Sequence, residues 1–130
     1  MDRQTLIQAA FAARKQSYSP YSHFAVGAAL WCDDGTIVTG CNVENGSYPV
    51  SLCAERAAVA TAVGMGHRKF LAVAVVAGNR PVTPCGACRQ VLSEFGDMAV
   101  ICAAASDLDT TAEYVLSELL PQSFNLEASR

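Results

Sequence analysis

The sequence has no stretch rich in positive charge, and this absence restricts the partners that it can bind. Its 130 residues include 9 Lys or Arg and 12 Asp or Glu, which gives a formal net charge of −3. Proteins that bind nucleic acid use clustered basic side chains to neutralise phosphates. We therefore expect a small uncharged substrate or a protein partner, and no nucleic acid.

Long apolar runs are also absent. No run reaches the roughly 18 residues that a membrane-spanning helix needs. Residues 1–16 are too polar for the hydrophobic region of an export signal. We therefore expect no membrane contact and a cytoplasmic location. In that reducing compartment, the six cysteines are expected as metal ligands, catalytic groups or buried thiols, not as disulfides.

Aromatic residues are few, at 8% of a chain that is 52% hydrophobic. The core must therefore be built mainly from alanine and branched aliphatic side chains. A chain of this length is typical of one domain and buries enough surface to fold without disulfides. We predict a single domain over residues 1–130.

The first half of the chain predicts a helix, a hairpin and a second helix. Apolar residues at helical spacing predict a helix over 3–16, capped by Asp2. The apolar strands 24–32 and 36–43 flank an Asp-Asp-Gly turn, which is typical of a hairpin. A second helix is predicted over 51–63, ending at a glycine.

The second half predicts two further strands with a helix between them. The continuous apolar run 70–77 is typical of a strand buried on both faces. Thr83 as N-cap and Pro84 as first helical residue predict a helix to residue 95, followed by a strand over 98–103. This order predicts a three-layer α/β/α sandwich with a partly parallel sheet and an antiparallel hairpin.

Three cysteines and a glutamate have the pattern of a catalytic zinc site. Cys85 and Cys88 are three residues apart on one predicted helix, so both sulfurs lie on one face of its first turn. Cys53 lies near the start of another. A catalytic zinc has three protein ligands and an open position. Glu55, two residues beyond Cys53, is placed to move protons of a bound water without being a ligand.

Three thiolates would leave the site with excess negative charge. Arg56 lies three residues beyond Cys53 and can donate hydrogen bonds to the sulfurs. We therefore expect Arg56 to offset that charge.

A pair of cysteines in this spacing is by itself also typical of a redox site or of half a structural zinc site. Pro84 before the pair, and Cys53-x-Glu55 about thirty residues upstream, form the signature of zinc nucleobase deaminases. A structural zinc module that binds a protein partner remains the alternative from another class.

The motifs along the chain resemble those of the small homotetrameric cytidine deaminases. The resemblance runs from the first helix to Phe124. The matching stretches are Tyr-Ser-Pro-Tyr-Ser-His-Phe-Ala-Val-Gly-Ala-Ala-Leu (18–30), Gly-Cys-Asn-Val-Glu-Asn (40–45), Cys-Ala-Glu-Arg (53–56), Pro-Cys-Gly-Ala-Cys-Arg-Gln (84–90) and Glu-Leu-Leu-Pro (118–121).

The resemblance implies hydrolytic deamination of cytidine and 2′-deoxycytidine to the uridine forms with release of ammonia, a step of pyrimidine salvage. It implies one Zn²⁺ per subunit held by Cys53, Cys85 and Cys88. Zinc-activated water would attack C4 of the base while Glu55 shuttles protons. A deaminase of a related cytosine nucleoside or nucleoside antibiotic is the alternative within this class.

The resemblance also assigns substrate contacts. Asn42 and Glu44, two residues apart at a strand end and so facing the same way, would hold the ribose hydroxyls. Phe24 would pack against the base and the Ala54 backbone would bind its edge. Tyr48 and Phe124 would cover the pocket at subunit boundaries of a homotetramer.

The family fold implies a mixed sheet of five strands. It places a short edge strand within 110–116 and a helical turn at 117–120, where periodicity alone does not decide. Residues 103–111 carry no motif of the family.

Overall fold

The computed structural model describes residues 2–129 and shows one five-stranded sheet in the order β2-β1-β3-β4-β5, with helices on both faces. This confirms the predicted three-layer α/β/α architecture. The elements in chain order are α1 Arg3–Arg14, β1 Val26–Cys32, β2 Ile37–Cys41, a 3₁₀ turn Tyr48–Val50, α2 Ala54–Gly64, β3 Phe70–Ala77, α3 Gly86–Ser93, β4 Ala99–Ala104, β5 Asp107–Val115, α4 Leu116–Leu119 and α5 Leu126–Ser129.

The sheet is mixed, as the resemblance implied. β1 pairs antiparallel with both β2 and β3, and β4 pairs antiparallel with β5. β3 and β4 run parallel, and α3 forms the crossover between them, as parallel neighbours require. The segment that follows β3 therefore leads directly into the cysteine pair.

The face of the sheet under α1 is lined by small residues. Leu6, Ile7 and Ala10 of α1 pack on Ala29, Ala72, Ala74 and their neighbours. The helix lies so close that a Cβ on Gly27 would be 1.9 Å from the Ala10 carbonyl oxygen. The alanine-rich composition thus sets the spacing between this helix and the sheet.

The opposite face is covered by α2 and α3 and has larger side chains. Ala58 and Ala62 of α2 and Leu92 of α3 are buried against the sheet, together with Leu30 and Val73. Leu30, Val73 and Leu92 supply the larger side chains that fill this layer of the core.

α2 approaches β2 closely at Gly40. A Cβ at Gly40 would lie 2.5 Å from the Ala58 amide nitrogen and 2.6 Å from the Ala54 carbonyl oxygen. Both atoms belong to the α2 backbone, which cannot yield as a flexible side chain does. Gly40 therefore fixes the first turns of α2 on the sheet.

Most predicted elements are confirmed, with shifted ends. β3 begins and ends where the apolar run predicted. The Asp2 side chain caps α1 by accepting a 2.8 Å hydrogen bond from the Thr5 backbone N–H, although the helix ends at Arg14 and not at residue 16.

The predicted start of α3 is wrong. The helix begins at Gly86, with Cys85 and not Thr83 as its N-cap residue. The Thr83 hydroxyl instead accepts a 3.0 Å hydrogen bond from the Arg89 guanidinium. Thr83 thus bonds to a side chain six residues further along the chain and does not cap the helix, although the Thr-Pro pair is a local signal for a helix start.

The edge strand at the C-terminal end is longer than the resemblance implied. β5 covers Asp107–Val115 and so includes part of the unmatched segment 103–111. α4 follows directly at Leu116–Leu119, one residue earlier than the expected helical turn. Within residues 2–129, the helices are too short or too polar to cross a bilayer.

Gly40→Ala is expected to lower the free energy of unfolding by about 1–3 kcal/mol, because the new methyl group meets the backbone of α2. The matched control is Gly64→Ala at the exposed end of the same helix, where a Cβ would have no atom within 4 Å. That change should be neutral or stabilising by up to about 1 kcal/mol. Urea unfolding of both variants measures this, and equal effects would refute the packing argument.

Candidate metal centre and active site

The N-terminal ends of α2 and α3 meet, and each has a cysteine as its N-cap residue. Cys53 precedes α2 and Cys85 precedes α3. Cys88 is buried in the first turn of α3. The partial positive charge of a helix N-terminus stabilises nearby thiolates. Two helices thus present three sulfur atoms to one point.

The three sulfur atoms have the spacing of a zinc ligand set. Sγ of Cys85 lies 3.9 Å from that of Cys53 and 3.5 Å from that of Cys88, and all three lie within 4.8 Å of one another. Two sulfurs on a tetrahedral zinc, each about 2.3 Å from the metal, are separated by about 3.8 Å. Among the described residues, no histidine or carboxylate joins this cluster. The donor set therefore fits a zinc ion with one position left for a water or substrate.

The thiol groups of Cys53 and Cys88 have their pKa values shifted in opposite directions. The pKa of Cys53 is lowered to about 5, first by the neighbouring Cys88 thiol and then by the Arg56 guanidinium. The pKa of Cys88 is raised, first by its interaction with Cys53 and then by burial. One thiolate is therefore favoured without a cation, and a bound cation is needed to hold all three as thiolates.

Arg56 contacts the cluster as its spacing indicated. Its Nη2 donates to Cys53 Sγ over 3.4 Å. The pKa of Arg56 is raised, chiefly by this hydrogen bond, so it stays a cation beside the sulfurs.

Glu55 is a buried charged residue, with 5% of its surface exposed. Burial is the main cause that raises its pKa to about 7. Its position on the first turn of α2 places it in the wall of the cavity that Cys53 and Cys85 also line. A carboxyl group so placed can exchange protons with a molecule in that cavity.

Two adjacent pockets share Cys53 and Asn42. The first is a cavity of about 170 Å³ that reaches Ala54, Glu55 and Cys85. The second, of about 290 Å³, reaches Glu44, Tyr48 and Arg56. The structure thus joins the cysteine cluster to the polar residues that follow β2.

Asn42 is held by the chain through three hydrogen bonds. Its Oδ1 accepts from the Ser17 hydroxyl at 2.5 Å and the Val26 N–H at 2.9 Å, and its Nδ2 donates to the Phe24 carbonyl at 2.9 Å. A carboxamide offers two donors and two acceptor sites. One Nδ2 hydrogen is therefore left for a ligand.

Glu44 is held in a similar way. Its Oε1 accepts from the backbone N–H groups of Tyr21 and Ser22, each at 3.0 Å, and its Oε2 accepts from the Ser22 hydroxyl. These bonds, the Ser22 hydroxyl first, lower the pKa of Glu44. The carboxylate is therefore fixed and ionised at the pocket wall.

The remaining expected substrate residues are placed less uniformly. Ala54 is fully buried in the cavity wall, whereas Phe24 is 41% exposed and lines neither pocket. Tyr48 is 65% exposed and meets the Tyr21 ring edge-on at 6.0 Å. Phe124 lines neither pocket and is tied elsewhere, since its carbonyl accepts from the Gln90 side chain. One chain therefore does not bring Phe124 to the cysteines.

Arg89 is a residue of the site to which the sequence motifs assign no role. It donates to the carbonyl oxygens of Pro84 and Leu119, each at 2.7 Å, and to the Thr83 hydroxyl. It therefore ties the segment before Cys85 to the end of α4. The position of Arg89 directly after Cys88 is the one sequence signal for a role in the site. Its partner Leu119, however, is 30 residues away and is brought close only by the fold.

Comparison with known proteins agrees with this geometry. The sequence profile of the family described as "Cytidine and deoxycytidylate deaminase zinc-binding region" matches residues 1–104. The chain belongs to this family. A cytidine deaminase of Sporosarcina psychrophila is 49% identical, covering 98% of this chain and 94% of that protein. A cytidine deaminase of Halalkalibacterium halodurans is 47% identical, covering 98% and 97%.

Solved structures of the cytidine deaminase family share the fold. A crystal structure of cytidine deaminase from Burkholderia pseudomallei superposes with a TM-score of 0.90 at 44% identity, covering 95% of this chain and all of that one. One from Mycobacterium tuberculosis gives 0.82 at 43% identity, covering 97% and 99%. The α/β fold and the zinc-binding character thus agree with those of the family.

Arg56→Ala is expected to release zinc about tenfold faster, because partners of metal ligands contribute about 10–100-fold to affinity. A chromogenic chelator added to the zinc-loaded protein measures the release rate. Arg80→Ala, in the exposed loop after β3, serves as the matched control and should behave as the wild type. An unchanged rate for Arg56→Ala would exclude this residue from the metal centre.

Proposed function

We propose that this protein catalyses the hydrolytic deamination of cytidine and 2′-deoxycytidine to uridine and 2′-deoxyuridine, with release of ammonia. The observation that carries the proposal is the cavity in which Cys53, Cys85 and Glu55 meet Asn42. It joins a zinc ligand set to a buried acid and a polar group. The names of the similar proteins add the reaction and its substrate.

The chemistry is divided between the metal and the buried acid. Cys53, Cys85 and Cys88 would hold a zinc ion, which when bound would lower the pKa of a water molecule enough to make it a nucleophile near neutral pH. Glu55 would take one proton from that water and pass it to N3 of the base. It would then take the proton of the new hydroxyl group at C4 and pass it to the departing amine, so that Glu55 ends in the state in which it began. Its burial keeps bulk water from competing for these protons.

Residues in and around the two pockets orient the nucleoside. The backbone of Ala54 binds the edge of the base, and Phe24 packs against its ring. The remaining Nδ2 hydrogen of Asn42 and the fixed carboxylate of Glu44 bind ribose hydroxyls. Such contacts suit a nucleoside, because the pocket residues supply no cluster of basic groups for a phosphate.

The protein is further proposed to act as a homotetramer in the cytoplasm, in pyrimidine salvage. The aromatic residues Tyr18, Tyr21 and Tyr48 are exposed, and Tyr48 also lines the second pocket. Exposed aromatic side chains favour burial against another copy. Phe124 is exposed and lies away from its own chain's pocket, so it is available to cover that of a neighbour. The six cysteines are all unpaired in the described structure, which suits a reducing compartment.

The decisive experiment measures turnover by ultraviolet absorbance on cytidine, 2′-deoxycytidine, cytosine and CMP, with metal analysis of the same sample. Turnover of both nucleosides with about one zinc per chain is expected. CMP should be poor, because the pocket residues supply no cluster of basic groups for its phosphate. Absence of turnover of both nucleosides would contradict the proposal.

Glu55→Gln is expected to lower kcat about 10³-fold while zinc content stays unchanged, because the amide cannot transfer protons. Glu94→Gln makes the same change at an exposed position after α3 and should keep full activity. Full activity of Glu55→Gln would instead support a structural zinc module.

The assembly is tested by light scattering at several protein concentrations. A mass about four times the 13.7 kDa of one chain is expected. Tyr48→Asp should lower this mass, because a buried unpaired charge opposes association. A monomeric wild type with full turnover would contradict the tetramer and leave the reaction standing.

A further inference from the structure

The Ser22 hydroxyl joins two residues that the proposed function assigns to the substrate. It donates a hydrogen bond to Oε2 of Glu44 and accepts one of 3.0 Å from the Phe24 backbone N–H. Ser22 lines a pocket of about 300 Å³ together with Glu44, Tyr48 and Ser51. One hydroxyl group thus lies between the proposed ribose-binding and base-packing residues.

The backbone geometry around Ser22 supports this arrangement. His23 lies between Ser22 and Phe24 with φ of 56°, in the left-handed region, and its N–H donates to the Ser19 carbonyl over 3.0 Å. This conformation costs free energy for a residue other than glycine. The hydrogen bonds of this turn offset that cost. One of them runs from the Phe24 N–H to the Ser22 hydroxyl.

The bonds of Ser22 limit how Glu44 can move. The Ser22 N–H and hydroxyl contact different oxygens of the same carboxylate. Two bonds from one residue fix the plane of the carboxylate as well as its position. Loss of the hydroxyl would leave Oε1 bound to backbone N–H groups and allow Oε2 to turn away.

We propose that Ser22 is a positioning residue for substrate binding: its hydroxyl, anchored by the Phe24 backbone N–H, holds the carboxylate of Glu44 in place. This inference rests on the proposed function. Ser22 affects the binding of the ribose end of the nucleoside and takes no part in proton transfer. Its removal should therefore weaken binding of the nucleoside and leave the chemical step nearly unchanged.

The test compares Ser22→Ala, Ser22→Thr and Glu44→Gln with the Ser22→Ala/Glu44→Gln double variant, all zinc-loaded and assayed on cytidine. Ser22→Ala should raise KM about tenfold, because hydrogen bonds to charged groups are among the stronger ones, with kcat changed less than about twofold. Ser22→Thr keeps the hydroxyl, and its added methyl group is at an exposed position. It should restore KM to within about threefold of the wild type.

The double variant separates positioning from direct contact with the substrate. If Ser22 acts through Glu44, the double variant should have nearly the KM of Glu44→Gln alone, because effects on one chain of bonds are not additive. Additive effects, or an unchanged KM for Ser22→Ala, would overturn the proposal.

Two controls separate positioning from a general effect of the substitution on the protein. Ser106→Ala, at an exposed turn between β4 and β5, should leave KM unchanged. The melting temperature of Ser22→Ala should stay within about 2 °C of the wild type, since a larger fall would indicate a general loss of structure and contradict a positioning role. Absence of turnover by the wild type would refute the proposed function itself. If the wild type turns over cytidine, the variants test the role of Ser22 alone.

Discussion

The structure depends on holding three sulfur atoms within 4.8 Å of one another in a state that can accept a cation. Three thiolates repel one another, so they need positive charge from several directions. Two helix N-termini and the Arg56 guanidinium supply it. α2 packs closely on Gly40, and Arg89 forms a hydrogen bond with the segment before Cys85. These contacts keep two separate segments of the chain at a fixed spacing.

The pocket has two ends that are built differently. Its proposed chemical end lies at the N-terminal ends of two helices, where Cys88 and Glu55 are buried and cannot shift without moving the core. Its proposed ribose end stands on loops, and Asn42 and Glu44 are held there by hydrogen bonds from the segment 17–24. Rigid packing suits proton transfer over fixed distances. Hydrogen bonds from polar side chains suit the ribose, because the nucleoside must enter the pocket and leave it again.

The sequence predicts those features that local patterns encode. β3 can be bounded to the residue because a central strand is apolar on both faces and flanked by polar residues. The metal ligands and Glu55 can be proposed because their spacing is itself the signal. Arg56 can be added because it follows from the charge of three thiolates.

Features that depend on distant contacts cannot be predicted in this way. The predicted start of α3 is wrong because Arg89 occupies the Thr83 hydroxyl. The structural bonds of Asn42 are not predictable, because its partner Ser17 lies 25 residues away and has no local signature. β5 is only partly predictable because it lies at the edge of the sheet and its mostly exposed residues are polar. In each case the deciding partner comes from another part of the fold.

The acidic composition of β5 has a consequence for self-association. The outer edge of an edge strand has free backbone groups, which form a template for pairing with another chain. Asp107, Asp109 and Glu113 lie along this strand. An antiparallel pairing of two copies centred on Leu108 would set Asp107 opposite Asp109 of the other copy, which is unfavourable. Charged side chains on β5 thus disfavour the pairing of this edge of the sheet with a second copy.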